Sequence, residues 1–149
     1  MRLFSTCTIL IIFVSLFSCK KDSKKDSCEL SMTSLSGDYQ MISLISKTSN
    51  GEIIDVFADA DECVKDNMWT FAPNGFIYIK DIGILCDGFN ANVETWSIVG
   101  DELHFSSLLT GFGGKANITS FDCDQFSYQS EETTNDGTTY LTTVSFKRY

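Results

Sequence analysis

Hydrophobic and polar residues alternate along most of the chain from Leu30 onward, in short runs that are separated by turn residues. This alternation is typical of half-buried β-strands, and no segment keeps a helical period for more than a turn or two. The last run is the cleanest, since Tyr140, Thr142, Val144 and Phe146 share one face. The pattern therefore predicts an all-β domain.

Three turn sequences define the predicted hairpins. Segment 72–75 is Ala-Pro-Asn-Gly, in which proline sets one turn angle and Asn-Gly supplies positive φ. Gly-Asp at 100–101 and Asp-Cys-Asp at 122–124 separate two further pairs of strands. The predicted strands are residues 39–46, 53–56, 68–71, 76–80, 93–99, 102–106, 116–121, 125–129 and 139–147. We expect a meander of about eight antiparallel strands that closes into a barrel, with a sandwich as the alternative.

The first eighteen residues form a different kind of segment. Arg2 is followed by an apolar stretch that ends at Ser18, directly before Cys19. This layout resembles the signal peptide of bacterial lipoproteins, which implies cleavage before Cys19 and lipidation of its thiol. A spanning helix would need about 20 apolar residues, more than this segment supplies. An ordinary secretory peptide with an incidental cysteine stays open, because Phe17 is bulky for a lipoprotein cleavage site.

Residues 19–29 are predicted to join the lipid to the domain that spans residues 30–149. Segment 20–27 contains only lysine, aspartate and serine, so we expect a disordered tether. Its lysines would lie near anionic lipid headgroups. The predicted location is the outer membrane, held by lipid, on its periplasmic or cell-surface face.

The formal net charge of −9 narrows the range of partners. Nucleic acid is excluded as a partner because phosphate contacts require clustered lysine and arginine. The acidity favours a soluble, exposed surface. We expect a monomer whose partners are the membrane, through the lipid anchor, and a small hydrophobic ligand.

Cysteine usage indicates disulfides. Apart from Cys19 and a cysteine in the signal segment, four cysteines remain, at positions 28, 63, 86 and 123. An even number in an exported domain suggests two bridges, and the sequence leaves all three pairings open. We prefer Cys63 with Cys86 and Cys28 with Cys123. A structural zinc site is disfavoured because the cysteines do not occur in close pairs.

Several of these residues together resemble the lipocalin-like domain of bacterial outer-membrane lipoproteins. The resemblance begins at Leu-Ser-Gly-Asp-Tyr (35–39), where Tyr39 stands in place of the usual tryptophan, and covers nearly the whole chain beyond Leu30. It continues through Cys-Val-Lys-Asp-Asn (63–67), Phe71, Asn-Gly (74–75), Cys86, Trp96 and the turn at 100–101. It implies a small calycin-type barrel with a Cys63–Cys86 disulfide, and it implies no catalytic residue.

Motifs for catalysis or metal binding are weak or absent from the sequence. The single histidine, His104, falls on the outward face of its predicted strand, opposite Trp96 and Phe105. No nucleophile elbow, phosphate loop or histidine metal motif occurs, so we predict neither an enzyme nor a cofactor. One acidic group in a loop raises calcium as an alternative, although it lacks the usual Asp-x-Asp-x-Asp-Gly spacing. Its members are Asp55, Asp59, Asp61, Glu62 and Asp66.

Aromatic residues are the remaining candidates for a binding site. Strand alternation directs seven of them inward: Trp69, Phe71, Tyr78, Trp96, Phe105, Phe126 and Phe146. Small barrels often fill their own interior, so core packing competes with the lining of a cavity. The preferred hypothesis is a barrel that binds a small apolar or amphipathic molecule through Trp69, Phe71, Trp96 and Phe105. The alternative is a filled barrel that serves as a structural or protein-interaction module of the envelope.

Overall fold

The computed structural model describes residues 28–86, 93–107 and 113–149. The predicted signal peptide, the lipidation site at Cys19 and the tether up to residue 27 lie outside these residues. In the described ranges, no helix has the length and hydrophobicity needed to cross a membrane.

The described residues form an all-β fold, as predicted. Its strands are β1 (Gly37–Thr48), β2 (Ile53–Asp55), β3 (Met68–Phe71), β4 (Phe76–Lys80), β5 (Val93–Val99), β6 (Glu102–Ser107), β7 (Gly113–Phe121), β8 (Gln125–Thr133) and β9 (Thr139–Arg148). Consecutive strands from β3 to β9 pair with one another, all antiparallel. Because β1 pairs with both β3 and β9, eight strands close into a barrel and the predicted barrel is confirmed.

The ninth strand, β2, pairs with β1 and is not one of the eight strands that close the barrel. β1 is long enough to pair with β3 through Gly37 to Gln40 and with β2 through Ile45 to Lys47. Its register with β9 shifts between Met41 and Ser43. A bulge of this kind bends a strand and changes the side that its residues face. This shift explains why β1 carries apolar residues at both odd and even positions.

Three short helices were not predicted from the sequence. They are α1 (Met32–Leu35), α2 (Val56–Asp59) and α3 (Glu62–Lys65), and each spans a single turn. Asp55 ends β2 one residue earlier than predicted, because its carboxylate caps α2 by accepting from the amide of Ala58 at 2.9 Å. Ser31 and Ser34 form a capping box at α1. A single turn of helix produces no hydrophobic period, so local capping is the only sequence signal.

Arg148 of β9 ties together the elements at the end of the barrel next to α1. Its guanidinium donates to the carbonyls of Ser34 at 2.9 Å, Ser36 at 3.1 Å and Cys123 at 2.7 Å. It also donates to the Tyr39 hydroxyl at 2.7 Å and lies 4.9 Å from the centre of that ring. Burial raises the pKa of the Tyr39 phenol, which keeps it neutral beside the cation. Arg148 thus joins α1, β1, β9 and the β7–β8 turn.

Above Arg148 lies a set of packed rings that we call the aromatic plug: Tyr39, Phe71, Trp96, Phe126 and Phe146. Phe71 is central, with its ring edge-on to Tyr39 at 5.7 Å, Trp96 at 5.4 Å and Phe126 at 5.4 Å. All five members are 3% exposed or less. Edge-to-face rings stabilise a core by about 0.5–1.5 kcal/mol per pair beyond area burial. This half of the barrel is therefore filled by its own side chains.

Two disulfides reinforce opposite ends of the barrel. Cys28 is bonded to Cys123 at the closed end, and Cys63 of α3 is bonded to Cys86 at the other end. This is the pairing preferred from the sequence. The first bridge attaches the last two residues of the predicted tether to the barrel. The second ties α3 to the segment after β4, where the amide of Ile84 donates to Asp66 at 2.6 Å.

Arg148→Lys is expected to lower the free energy of unfolding by about 2–3 kcal/mol. An ammonium keeps the charge but loses the planar fork, and hydrogen bonds to charged groups contribute about 1.5–3 kcal/mol each. The matched control is Lys147→Arg on the exposed neighbour, which should change stability by less than about 0.5 kcal/mol. Urea unfolding followed by tryptophan fluorescence measures both variants. Equal stability of the two variants would refute the role given to Arg148.

Candidate functional site

A cavity of about 220 Å³ lies inside the barrel, in the half away from α1. The aromatic plug forms its floor through Phe71 and Phe146. Eight residues from six strands line it: Trp69, Phe71, Ile77, Glu94, Leu103, Phe105, Tyr128 and Phe146. Seven of these carry an apolar or aromatic body, and Glu94 supplies a carboxylate.

Strand register explains why a glutamate lies inside the barrel. Residues directly opposite each other in an antiparallel pair share a face. Phe71 is opposite Ile77, and Ile77 is opposite Glu94, so the inward face passes from β3 through β4 to β5. Trp96, two residues after Glu94, is opposite the inward Phe105. Glu94 is therefore held inside by the same alternation that buries Trp96.

The structure brings three of the four sequence-predicted ligand residues together. Trp69, Phe71 and Phe105 line the cavity. Trp96 does not; it belongs to the aromatic plug, where its indole N–H donates to the carbonyl of Ala72 at 3.0 Å. This hydrogen bond connects β5 to the β3–β4 turn. Trp96 therefore lies beneath the cavity and supports its floor.

Tyr78 was predicted to face inward, and this prediction is wrong. On β4 the buried residues are Ile77 and Ile79, whereas the Tyr78 side chain is 42% exposed. Residues alternate between the two faces of β4 as predicted, but both faces carry apolar side chains, and the isoleucine face is the one that points inward. Phe76 lies on the same outer face and packs beside Tyr78, with ring centres 6.2 Å apart.

Glu94 and Tyr128, two polar residues of the cavity, lie close enough that the charge of Glu94 affects the pKa of Tyr128. Burial raises the pKa of Glu94, and no basic group of the described residues offsets this effect. Burial, and then the Glu94 charge, raise the pKa of the Tyr128 phenol to about 12. Each group therefore ionises less readily than it would in water.

The third polar group is the indole N–H of Trp69. Its Nε1 atom is buried, and among the described residues it has no hydrogen-bond partner. A buried donor without a partner costs about 1–3 kcal/mol. The ring itself packs edge-on to Phe146, with centres 5.5 Å apart. The cavity therefore combines an aromatic wall with a carboxylate, and an unsatisfied indole donor is buried within that wall.

Glu94 and Tyr128 were missed as site residues in the sequence. Both could have been found from the period of their strands, since Glu94 is two residues before Trp96 and Tyr128 is two residues after Phe126. Only aromatic residues were predicted to bind the ligand, and glutamate is seldom buried in proteins. The register between β4 and β5, which the sequence does not specify, places Glu94 on the inward face despite that preference.

A second hollow, of about 540 Å³, lies in the barrel wall between β5, β6 and Gly114 of β7. Mostly hydroxyl groups and His104 border it, together with Trp96 and Phe105. His104 faces outward as predicted, and its Nε2 is 3.0 Å from Glu102, whose other oxygen accepts from Lys115 at 3.0 Å. This hollow is open to solvent and lacks the aromatic enclosure of the inner cavity.

The acidic group considered for calcium is dispersed among different partners. Asp55 caps α2, Glu62 pairs with Lys65 at 2.9 Å, and Asp66 accepts from the amide of Ile84. Within the described ranges, no set of three His, Cys, Asp or Glu side chains is arranged to hold a metal ion.

Comparison with known proteins adds little to this geometry. No protein-family model matches the chain, and no curated protein matches it. One similar solved structure is that of a redesigned beta barrel, with 16% sequence identity and a TM-score of 0.37. The alignment covers 80% of this chain and 95% of that chain.

Glu94→Gln is expected to remove a pH-dependent loss of stability. Between the ordinary pKa of 4.5 and the raised value, the folded protein holds a proton that the unfolded chain has lost. The free energy of unfolding should therefore fall as the pH rises through that window, and the glutamine variant should not show this fall. Urea unfolding between about pH 4 and about pH 8 measures the difference.

Glu131→Gln, at an exposed position of β8, is the matched control. It should follow the wild-type pH profile. If Glu94→Gln also follows the wild-type profile, the carboxylate is not desolvated in the folded protein.

Proposed function

We propose that this protein is a lipid-anchored envelope protein whose lipocalin-like barrel binds a small amphipathic molecule. The observation that carries the proposal is the inner cavity, in which aromatic walls surround a carboxylate. Glu94 is half-buried on the inward face with no cation beside it among the described residues, an arrangement that is costly for folding alone. Binding sites are concave, mostly apolar and supplied with a few polar groups, as this cavity is.

The cavity volume sets the size of the ligand. About 220 Å³ is below the roughly 300 Å³ of drug-sized sites, and above the roughly 150 Å³ of an engineered cavity that admits benzene. The ligand therefore carries on the order of ten non-hydrogen atoms inside the barrel. A long acyl chain does not fit within the described walls.

The polarity of the lining supports an amphipathic ligand over a purely apolar one. Apolar and aromatic side chains take up most of the wall, but Glu94 and Tyr128 also line the cavity and bring a carboxyl and a phenol group to it. A hydrocarbon would leave Glu94 buried without a partner, at a cost that a polar ligand group avoids.

The membrane anchor is supported by the N-terminal sequence. The segment up to Ser18 followed by Cys19 has the layout of a lipoprotein signal. The two disulfides favour an oxidising compartment outside the cytoplasm. We place the barrel at the outer membrane, joined to lipid through residues 19–27.

The alternative function is a structural or protein-interaction module without a ligand. The aromatic plug favours it, because half of the interior is already filled. The two functions differ in a single observable, namely whether the remaining cavity takes up a molecule.

Native mass spectrometry of the full chain in phosphatidylcholine nanodiscs tests the proposal. After incubation with a lipid extract of the cell envelope, we expect a discrete adduct of small mass. Leu103→Trp should abolish the adduct, because Leu103 is 2% exposed and lines the cavity, so that the indole occupies the ligand's space. Leu141→Trp on the outer face, where the leucine is 37% exposed, should retain it. The absence of any adduct from the wild type would favour the interaction module.

A further inference from the structure

We infer that the ligand is a small cation, an amine or quaternary ammonium on an aromatic or apolar body, whose charge pairs with Glu94 inside the aromatic wall of the cavity. This inference rests on the proposed function and names the chemical class of its ligand. It follows from three features of the described residues: the position of the carboxylate, the rings around it, and the location of the basic side chains.

Among the described residues, no lysine or arginine pairs with the carboxylate of Glu94. The described lysines and Arg148 are engaged or exposed elsewhere: Arg148 at the closed end, Lys65 with Glu62, Lys115 with Glu102, and Lys47, Lys80 and Lys147 on the outer surface. A charged group on an inward face is costly without a partner. A cationic ligand would supply that partner, and it would lower the pKa that burial raises, so that Glu94 ionises in the complex.

The rings of the cavity suit the same charge. Five aromatic side chains line it: Trp69, Phe71, Phe105, Tyr128 and Phe146. Aromatic faces attract ammonium groups by about 0.5–2 kcal/mol each, and more strongly away from water. They offer no comparable attraction to a carboxylate, which Glu94 would also repel. A cage of rings with one acid thus discriminates between a cation and an anion of the same shape.

The Trp69 indole supplies a second point of recognition. Its N–H is covered by neighbouring atoms, so a ligand reaches it only if the ring turns. A hydroxyl or carbonyl oxygen on the ligand would then satisfy this donor. A ligand with an ammonium at one pole and an oxygen at the other would match both groups.

Three probes of one skeleton test the inference: 2-phenylethylamine, 2-phenylethanol and phenylacetate. Isothermal titration calorimetry with the full chain in phosphatidylcholine nanodiscs, against empty discs, should give an affinity for the amine at least about ten-fold above that for the alcohol. The acid should not bind measurably. In Glu94→Gln, the amine and the alcohol should bind equally, and the alcohol should bind as it does to the wild type.

Glu131→Gln again serves as the matched control, and it should preserve the ten-fold preference. Retained alcohol binding shows that the Glu94→Gln barrel is folded. Equal or tighter binding of the alcohol or the acid by the wild type would overturn the inference and leave the proposed function standing. Binding of none of the three probes would also overturn it. In that case the mass-spectrometry experiment with the envelope extract decides the proposed function, because an adduct in that experiment does not require the ligand to be an amine.

Discussion

The four hydrogen bonds of the Arg148 guanidinium are the constraint on which the rest of the structure depends. They connect the last strand to α1, to Tyr39 of the first strand and to the β7–β8 turn, beside the Cys28–Cys123 disulfide. Gly37 makes room for this arrangement, because a Cβ atom there would lie 2.3 Å from a guanidinium nitrogen. A planar, fully charged group thus holds α1 and the start of β1 against the end of β9.

Closure at one end determines what the other end can do. Because Arg148 fixes Tyr39, the rings of Phe71, Phe126 and Phe146 pack against a defined surface. The aromatic plug then acts as a rigid floor, and the side chains above it form a cavity instead of collapsing into a continuous core. Stability is concentrated in one half of the barrel, which permits the other half to hold a carboxylate and an unsatisfied indole donor. The barrel is therefore filled in the half next to α1 and contains a cavity in the other half.

Much of the fold could be predicted from the sequence, because alternation and turn residues act locally. The β3–β4 hairpin agrees with its predicted bounds, since Pro73 and Gly75 specify the turn and the flanking runs alternate. The three single-turn helices could not be predicted, because one turn gives no periodic signal.

The site was less predictable, because a cavity depends on register between strands that are distant in the sequence. Trp69, Phe71 and Phe105 were predicted correctly as cavity residues because they are hydrophobic and face inward. Trp96 is equally hydrophobic and was predicted on the same basis, but it lies in the aromatic plug. Glu94 was missed because only aromatic side chains were predicted to line the site, whereas its pairing opposite Ile77 places it inside. The residue that departs most from its usual preference is thus the one that gives the cavity its chemical character.

The most direct test of the account is the response of the two indole N–H resonances to the envelope extract, measured by ¹⁵N-edited NMR of the full chain. Trp69 lines the cavity, whereas the Trp96 N–H is bonded to the Ala72 carbonyl inside the plug. The account predicts that the Trp69 resonance shifts on addition of the extract and that the Trp96 resonance stays in place. If neither resonance moves, the cavity takes up no ligand. If both move together, the plug is not the rigid floor described above.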